Sequence, residues 1–249
     1  MNLAILQARM SSSRLPGKVM KLLLGKPMLL RQIERIKRSN GIDALIVATT
    51  TEVEDDEIAF MCKENNILCY RGSLENVLDR FYKISIKYQP DNIIRLTGDC
   101  PLIDPDIIDK VIECHLNNGN DYTSNIIPPT FPDGLDTEVF TVNALEKIYN
   151  EANRPSLKEH VTLYVNENPY LFKRENVVNT VDLSLHRWTV DEQEDYELVC
   201  RIYENLFPEN PNFNMHDILH FLEDYKELQK VNAIFTRNEG LTKSLQREK

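Results

Sequence analysis

Ten consecutive residues, from Arg9 to Lys18, read R-M-S-S-S-R-L-P-G-K and carry three cations and three hydroxyls. Only Ala8 separates them from the short apolar run 3–7, as a loop follows a strand. A loop of this composition can wrap a polyphosphate. Backbone N–H groups and hydroxyls donate hydrogen bonds while Arg14 and Lys18 neutralise charge. The alternative is an ordinary solvated basic loop. The segment is not a P-loop, since Gly25-Lys26 is followed by Pro27 where that motif needs Ser or Thr, and G-x-G-x-x-G is absent as well.

Acidic residues offer the complementary chemistry. Asp99 stands just past the run 92–97, in G-D-C-P. A carboxylate there can hold Mg²⁺ over nucleotide phosphates, or can cap a turn. Asp104-Pro105-Asp106 is a D-x-D, the pattern with which GT-A glycosyltransferases hold a nucleotide-sugar metal; a helix N-cap followed by proline at the first helical position explains the same residues. Asp191 precedes Glu192, Glu194 and Asp195, where acidic residues also suit a helix N-terminus. Asp133, Asp136 and Glu138 surround Gly134 and either bind substrate hydroxyls or stabilise a turn. His216 and His220 are four apart, but H-D-I-L-H brings neither a third ligand nor the zincin glutamate, which leaves a surface or interface pair. No Ser/His/Asp or Cys/His arrangement emerges, and nothing beside Cys100 activates its thiol.

These groups act together only if the fold gathers them. Strand signals at 3–7, 44–49, 67–70 and 92–97 alternate with helical stripes at 28–39, 55–65, 75–88 and 106–117. That alternation predicts an α/β fold, a mostly parallel sheet with helices on both faces. In such sheets ligands bind beyond the carboxyl ends of the strands. Loops 7–18, 49–52, 71–73 and 98–104 are therefore expected on one rim. From 121 to 142 the chain is rich in Pro, Asp, Gly and Thr, and short signals follow at 142–153, 156–168, 170–178 and 188–190. This pattern is read as one domain with an insertion lobe around 125–185, then a return to the main sheet. Helices at 192–206 and after Asn214 come next, then a polar tail, 232–249, expected as an arm or a frayed end.

Composition narrows the functional classes. The chain has 249 residues, 42% hydrophobic and 27% charged, enough for a sizeable core. Its net charge of −10 gives no general attraction for nucleic acid or an anionic membrane, so anion binding must be local. The N-terminus lacks a signal-peptide pattern and no apolar run reaches membrane-spanning length. Five cysteines without C-x-x-C spacing read as reduced thiols in a cytoplasmic protein.

Five ordered blocks carry a resemblance: A-R-x-x-S-x-R-L-P-G-K with L-x-G-K-P-M-L (8–29), R-G-S-x-E-N-V-L-D-R-F (71–81), R-L-T-G-D-C-P-L-I-D-P (95–105), P-D-G-L-D-T-E-V-F (132–140) and R-W-T-V-D-E-Q-E-D (187–195). Together they resemble the cytidylyltransferases that make CMP-N-acylneuraminate and CMP-Kdo, and most of all the spore-coat polysaccharide protein F (SpsF-type) branch. The sialic acid members have R-G-G-S-K where this chain has R-M-S-S-S. The resemblance implies a Rossmann-like nucleotidyltransferase, related to the GT-A fold, that transfers CMP from CTP to a sugar, expected to be an acidic 2-keto sugar, for surface polysaccharide synthesis. It implies Mg²⁺ on Asp99 and Asp191 and catalytic roles for Arg14, Lys18 and Asp99. Nucleotide contacts are expected from Gln7, Ala8, Arg9, Ser12, Ser13, Arg14, Lys18, Arg71, Gly72, Thr97 and Gly98. Arg95, Asp133, Asp136, Glu138, Glu159 and His160 are expected to face the sugar, and a homodimer is the expected assembly. The rival readings are a GT-A glycosyltransferase using Asp104 and Asp106, and a nucleotide-binding protein without turnover.

Overall fold

A computed structural model of the chain describes residues 1–248. Strand β1 (Asn2–Gln7) runs into the basic loop, and a small hairpin, β2 (Leu22–Leu23) and β3 (Lys26–Pro27), leads to helix α1 (Met28–Ile36). There follow β4 (Ala44–Thr50), α2 (Asp56–Glu64), β5 (Leu68–Gly72), α3 (Val77–Tyr88), β6 (Asn92–Thr97) and α4 (Pro105–Asn118). β1, β4 and β6 are mostly apolar runs with buried side chains on both faces, as the covered part of a parallel sheet requires. Helix ends follow local chemistry. Asn76 caps α3 by accepting from the Asp79 N–H, and Asp104 with Pro105 opens α4, which ends at the left-handed Gly119.

Downstream come β7 (Tyr122–Ser124), β8 (Glu138–Thr141), α5 (Val142–Glu151), α6 (Pro155–Glu159), α7 (Leu163–Glu167), β9 (Arg174–Asn176), α8 (Gln193–Leu206), α9 (Met215–Asp224) and α10 (Glu239–Arg247). The main sheet has the order β5-β4-β1-β6-β8-β7-β9. The first four strands are parallel, and β8 joins antiparallel to β6. One core lies between the sheet and α1, α2, α4, α8 and α9; the other packs α3 and α5 on the opposite face.

The structure adds detail to three expectations. Within 125–185, read as an insertion lobe of the one domain, β8 and β9 are strands of the main sheet. Residues 188–190 form no strand, and the chain after 185 makes an isolated bridge between Asp133 and Arg187, outside the sheet. The polar stretch from 232 is folded as far as Glu248. Asn232 donates to Asp195, and α10 lies over the ends of the parallel strands, where Ser244 meets His160. Polar contacts rather than an apolar stripe dock this segment, so periodicity could not reveal it.

Candidate active site

The parallel register places Gln7, Ala48 and Thr97 level with one another. The loops after β1 and β6 therefore meet at one rim. Two adjoining chambers open there, of about 300 and 290 Å³. Gln7, Ala8, Arg9, Ser12, Ser13, Arg14 and Lys18 line the first, facing Thr97, Gly98 and Asp99. Asp133, Asp136 and Glu138 line the second. Arg14, Arg95, Thr97, Asp99, His160 and Asp191 belong to both, so they form the wall between them.

Lys18 lines the first chamber only, and it ties two residues of this wall, Asp99 and Asp191, together. Gly17, at φ 68°, turns the chain into a 3₁₀ turn that starts at Lys18. The lysine is only 7% exposed, and its ammonium donates to Asp99 Oδ2 at 3.0 Å, Asp191 Oδ1 at 2.8 Å and the Val190 carbonyl at 2.8 Å. Burial by itself would depress its pKa; the two carboxylates outweigh that and hold it above the ordinary lysine value. Burial likewise pushes Asp99 upward, but the ammonium and the Thr97 hydroxyl bring it down to about 2. Both groups are charged at neutral pH. Arg14 reaches the same centre, with Nη2 2.8 Å from Asp191 and Nη1 3.3 Å from Glu239.

Asp191 is held by the turn that precedes α8. The buried Asp195 carboxylate accepts the N–H groups of Asp191 and Glu192 and pairs with Arg187 at 2.8 Å. Val190 N–H bonds the Asp99 carbonyl at 2.7 Å, which ties the two aspartate-bearing segments together. Gly134, at φ 108°, makes room for this turn: a Cβ there would lie 2.5 Å from the Thr189 nitrogen. The glycine of D-G-L-D is thus a close-approach residue that lets 133–136 lie against 188–189.

In the second chamber Arg95 pairs with Glu138, which also accepts from Tyr122 and Thr162. Arg237, from the folded tail, pairs with Asp136. Burial lifts the Asp136 carboxyl to about 7 in spite of Arg237, and Asp133 and Glu138 add to the rise.

Not every expected residue faces the chambers. Arg71 and Gly72 line neither: the Arg71 guanidinium donates to the carbonyls of Thr50 and Glu52 and pairs with Asp56. Glu159 and His160 do line the first chamber, and both contact the Ser244 hydroxyl, so they also dock α10. Asp104 is buried away from both chambers. Its carboxylate caps α4 through the Asp106 N–H at 2.9 Å and accepts the Met215 N–H at 2.7 Å. The D-x-D is a helix cap here, and Asp106 lines neither chamber.

Sequence reasoning missed Arg80, Lys243 and Arg247 in the first chamber and Arg187 in the second. Arg80 left a trace: it falls on the apolar stripe of Val77, Phe81 and Ile84 in α3, where a charged residue is out of place.

Asp99 and Asp191 already point oxygens at one cationic centre, the Lys18 ammonium. Among the described residues no group of three or more His, Cys, Asp or Glu converges. Two carboxylates, with phosphate oxygens and water to complete an octahedron, suit Mg²⁺.

The chain is similar to several known proteins. The cytidylyltransferase family profile matches residues 3–242. The spore coat polysaccharide biosynthesis protein SpsF of Bacillus subtilis is 35% identical, over 88% of this chain and 93% of its own. A cytidylyltransferase structure from Leptospira borgpetersenii superposes with a TM-score of 0.89 at 32% identity, covering 94% of this chain and 99% of that one. The structure of CMP:2-keto-3-deoxy-manno-octonic acid synthetase complexed with CTP shares the fold, with a TM-score of 0.60 at 17% identity over 82% and 98%. The chain belongs to the cytidylyltransferase family.

Proposed function

We propose that the protein transfers CMP from CTP to a hydroxyl of an acidic 2-keto sugar and releases pyrophosphate, for surface polysaccharide synthesis. The observation that carries this reading is the shared Lys18 ammonium between Asp99 and Asp191, beside a hydroxyl- and arginine-rich loop. CTP occupies the first chamber. Ser12, Ser13 and loop N–H groups donate to its phosphates, and Arg14 and Lys18 neutralise the β- and γ-groups as charge develops on the leaving pyrophosphate. Asp99 and Asp191 would hold Mg²⁺, which supplies charge neutralisation and phosphate alignment. The sugar occupies the second chamber, so that its hydroxyl approaches the α-phosphorus across the shared wall, in line with the departing pyrophosphate. No protein nucleophile is required.

The choice of acceptor draws on the relatives, whose names speak of a spore coat polysaccharide and of a 2-keto-3-deoxy acid. By the family resemblance the enzyme works in the cytoplasm as a homodimer. No helix among the described residues is long and apolar enough to cross a membrane. Incubation with each nucleoside triphosphate, Mg²⁺ and a panel of 2-keto acid sugars tests the reading. It expects pyrophosphate release with CTP that depends on the sugar; equal release with all four triphosphates, or none with any, overturns it.

A further inference from the structure

Helix α10 buries only one of its side chains, Ser244, so no apolar stripe fixes it in place. Polar contacts do. The Ser244 hydroxyl donates to Glu159 at 2.7 Å and meets His160 at 3.0 Å, and Glu248 accepts the Ser156 N–H at 2.6 Å. Gly240, Lys243, Ser244 and Arg247 share one face of the helix, and that face lines the first chamber. A Cβ on Gly240 would meet nothing within 4 Å, so this end of the face looks into open chamber rather than onto packed core. A polar helix held in this way offers its side chains to whatever enters.

At the start of the helix one oxygen has two cationic neighbours. Glu239 Oε2 lies 3.3 Å from Arg14 Nη1 and 3.5 Å from Lys243 Nζ. Arg14 is one of the two cations assigned above to the β- and γ-phosphates, and Lys243 stands one helical turn from Glu239 on the lining of the same chamber. The glutamate oxygen therefore sits where a phosphate oxygen fits, between a guanidinium and an ammonium. The chamber suits a polyanion, with seven Lys and Arg side chains on its lining against three carboxylates. A terminal phosphate carries more charge than a carboxylate and has three oxygens to share, so it is the stronger partner for both cations.

We infer that Lys243 is a further ligand of the terminal phosphate of CTP, and that the Glu239 carboxylate stands in that phosphate's place between Lys243 and Arg14 until nucleotide displaces it. This rests on the cytidylyl-transfer reading of the site.

Calorimetric binding of CTP, CMP and pyrophosphate to the full chain and to Lys243→Met, Lys243→Arg and Glu239→Gln tests it. Both positions lie outside the two cores, so the variants should fold. The Lys243 side chain is 56% exposed, which weakens its contact by solvent screening. Lys243→Met should lower CTP affinity by between about fivefold and about tenfold, and Lys243→Arg should keep most of it. Glu239→Gln should bind CTP about threefold more tightly, because the competing carboxylate is gone. Pyrophosphate should follow CTP in each variant. CMP, which lacks the β- and γ-groups, should bind all four proteins alike.

A helix that merely covers the site would give weaker binding after either change. A Glu239→Gln protein that binds CTP no more tightly than the wild type overturns the inference. So does a Lys243→Met protein with unchanged affinity, or a change that CMP shares equally. A wild-type chain that binds no CTP overturns the cytidylyl-transfer reading as well, whereas CTP binding with any of those three outcomes overturns this inference alone.

Discussion

The Lys18 ammonium lies 2.8 Å from Asp191 Oδ1, across 173 residues of chain. With Asp99 at 3.0 Å on the same nitrogen, one lysine from the phosphate loop holds two carboxylates that come from distant segments. One lysine therefore neutralises two carboxylates, and in the proposed reaction the same residue serves the leaving phosphates. Removing it does two separable kinds of damage.

Lys18→Met leaves Asp99 and Asp191 with less compensation in a buried setting. Loss of one partner of a buried pair costs about 3–5 kcal/mol, and loss of a preorganised charge-stabilising donor costs about a hundredfold or more in turnover. Urea unfolding and pyrophosphate release read the two effects. Adding Asp99→Asn should restore part of the stability and none of the activity; a strictly additive double variant contradicts the pairing.

Asp104→Ala separates the cap from the chemistry. The change removes the cap of α4 and the partner of the Met215 N–H, and is expected to cost about 1–2 kcal/mol. Pyrophosphate release by the folded variant should match the wild type. A large loss of turnover with unchanged stability would restore the D-x-D metal reading.

Ending the chain at Asn238 removes α10, and with it the Arg14–Glu239 and His160–Ser244 contacts. The strands and both cores stay intact, so circular dichroism should report a folded protein. Apparent affinity for CTP should fall about tenfold, as the loss of one or two hydrogen bonds would give. Unchanged affinity would show α10 to be a bystander.

Asp136 gives a pH signature. Burial lifts its carboxyl to about 7 although Arg237 opposes the rise, against an ordinary value of 3.8. The folded protein therefore keeps a proton that the unfolded chain releases above its own pKa. The resulting stabilisation is complete below about pH 4 and is lost as the pH rises through 7. Asp136→Asn should flatten the fall in Tm between pH 5 and 8; an unchanged slope contradicts the assignment.

Much of this was legible in the sequence. The parallel half of the sheet follows from apolar runs alternating with helical stripes, and Asp104-Pro105 marked the start of α4 correctly. The basic loop and Asp99 met because both follow adjacent parallel strands. Elsewhere local signals ran out. β7 and β9 are three residues each, too short for periodicity, and they pair over distances that no local pattern encodes. The C-terminal segment docks through single polar contacts such as Arg237 with Asp136. Arg71 carries the block that resembles the family, but Asp56 and two carbonyls hold it outside the chambers, while Arg80, nine residues on, faces inward.

Asp99 and Asp191 are expected to serve CMP transfer across the wall to which both belong, beside Lys18. Mass spectrometry of reactions containing CTP, Mg²⁺ and a 2-keto acid sugar measures it most directly. A CMP-sugar from the wild type, with its yield reduced at least about a hundredfold in Asp99→Asn and in Asp191→Asn, is the expected result. A CMP-sugar formed equally well by folded Asp99→Asn and Asp191→Asn proteins would contradict it.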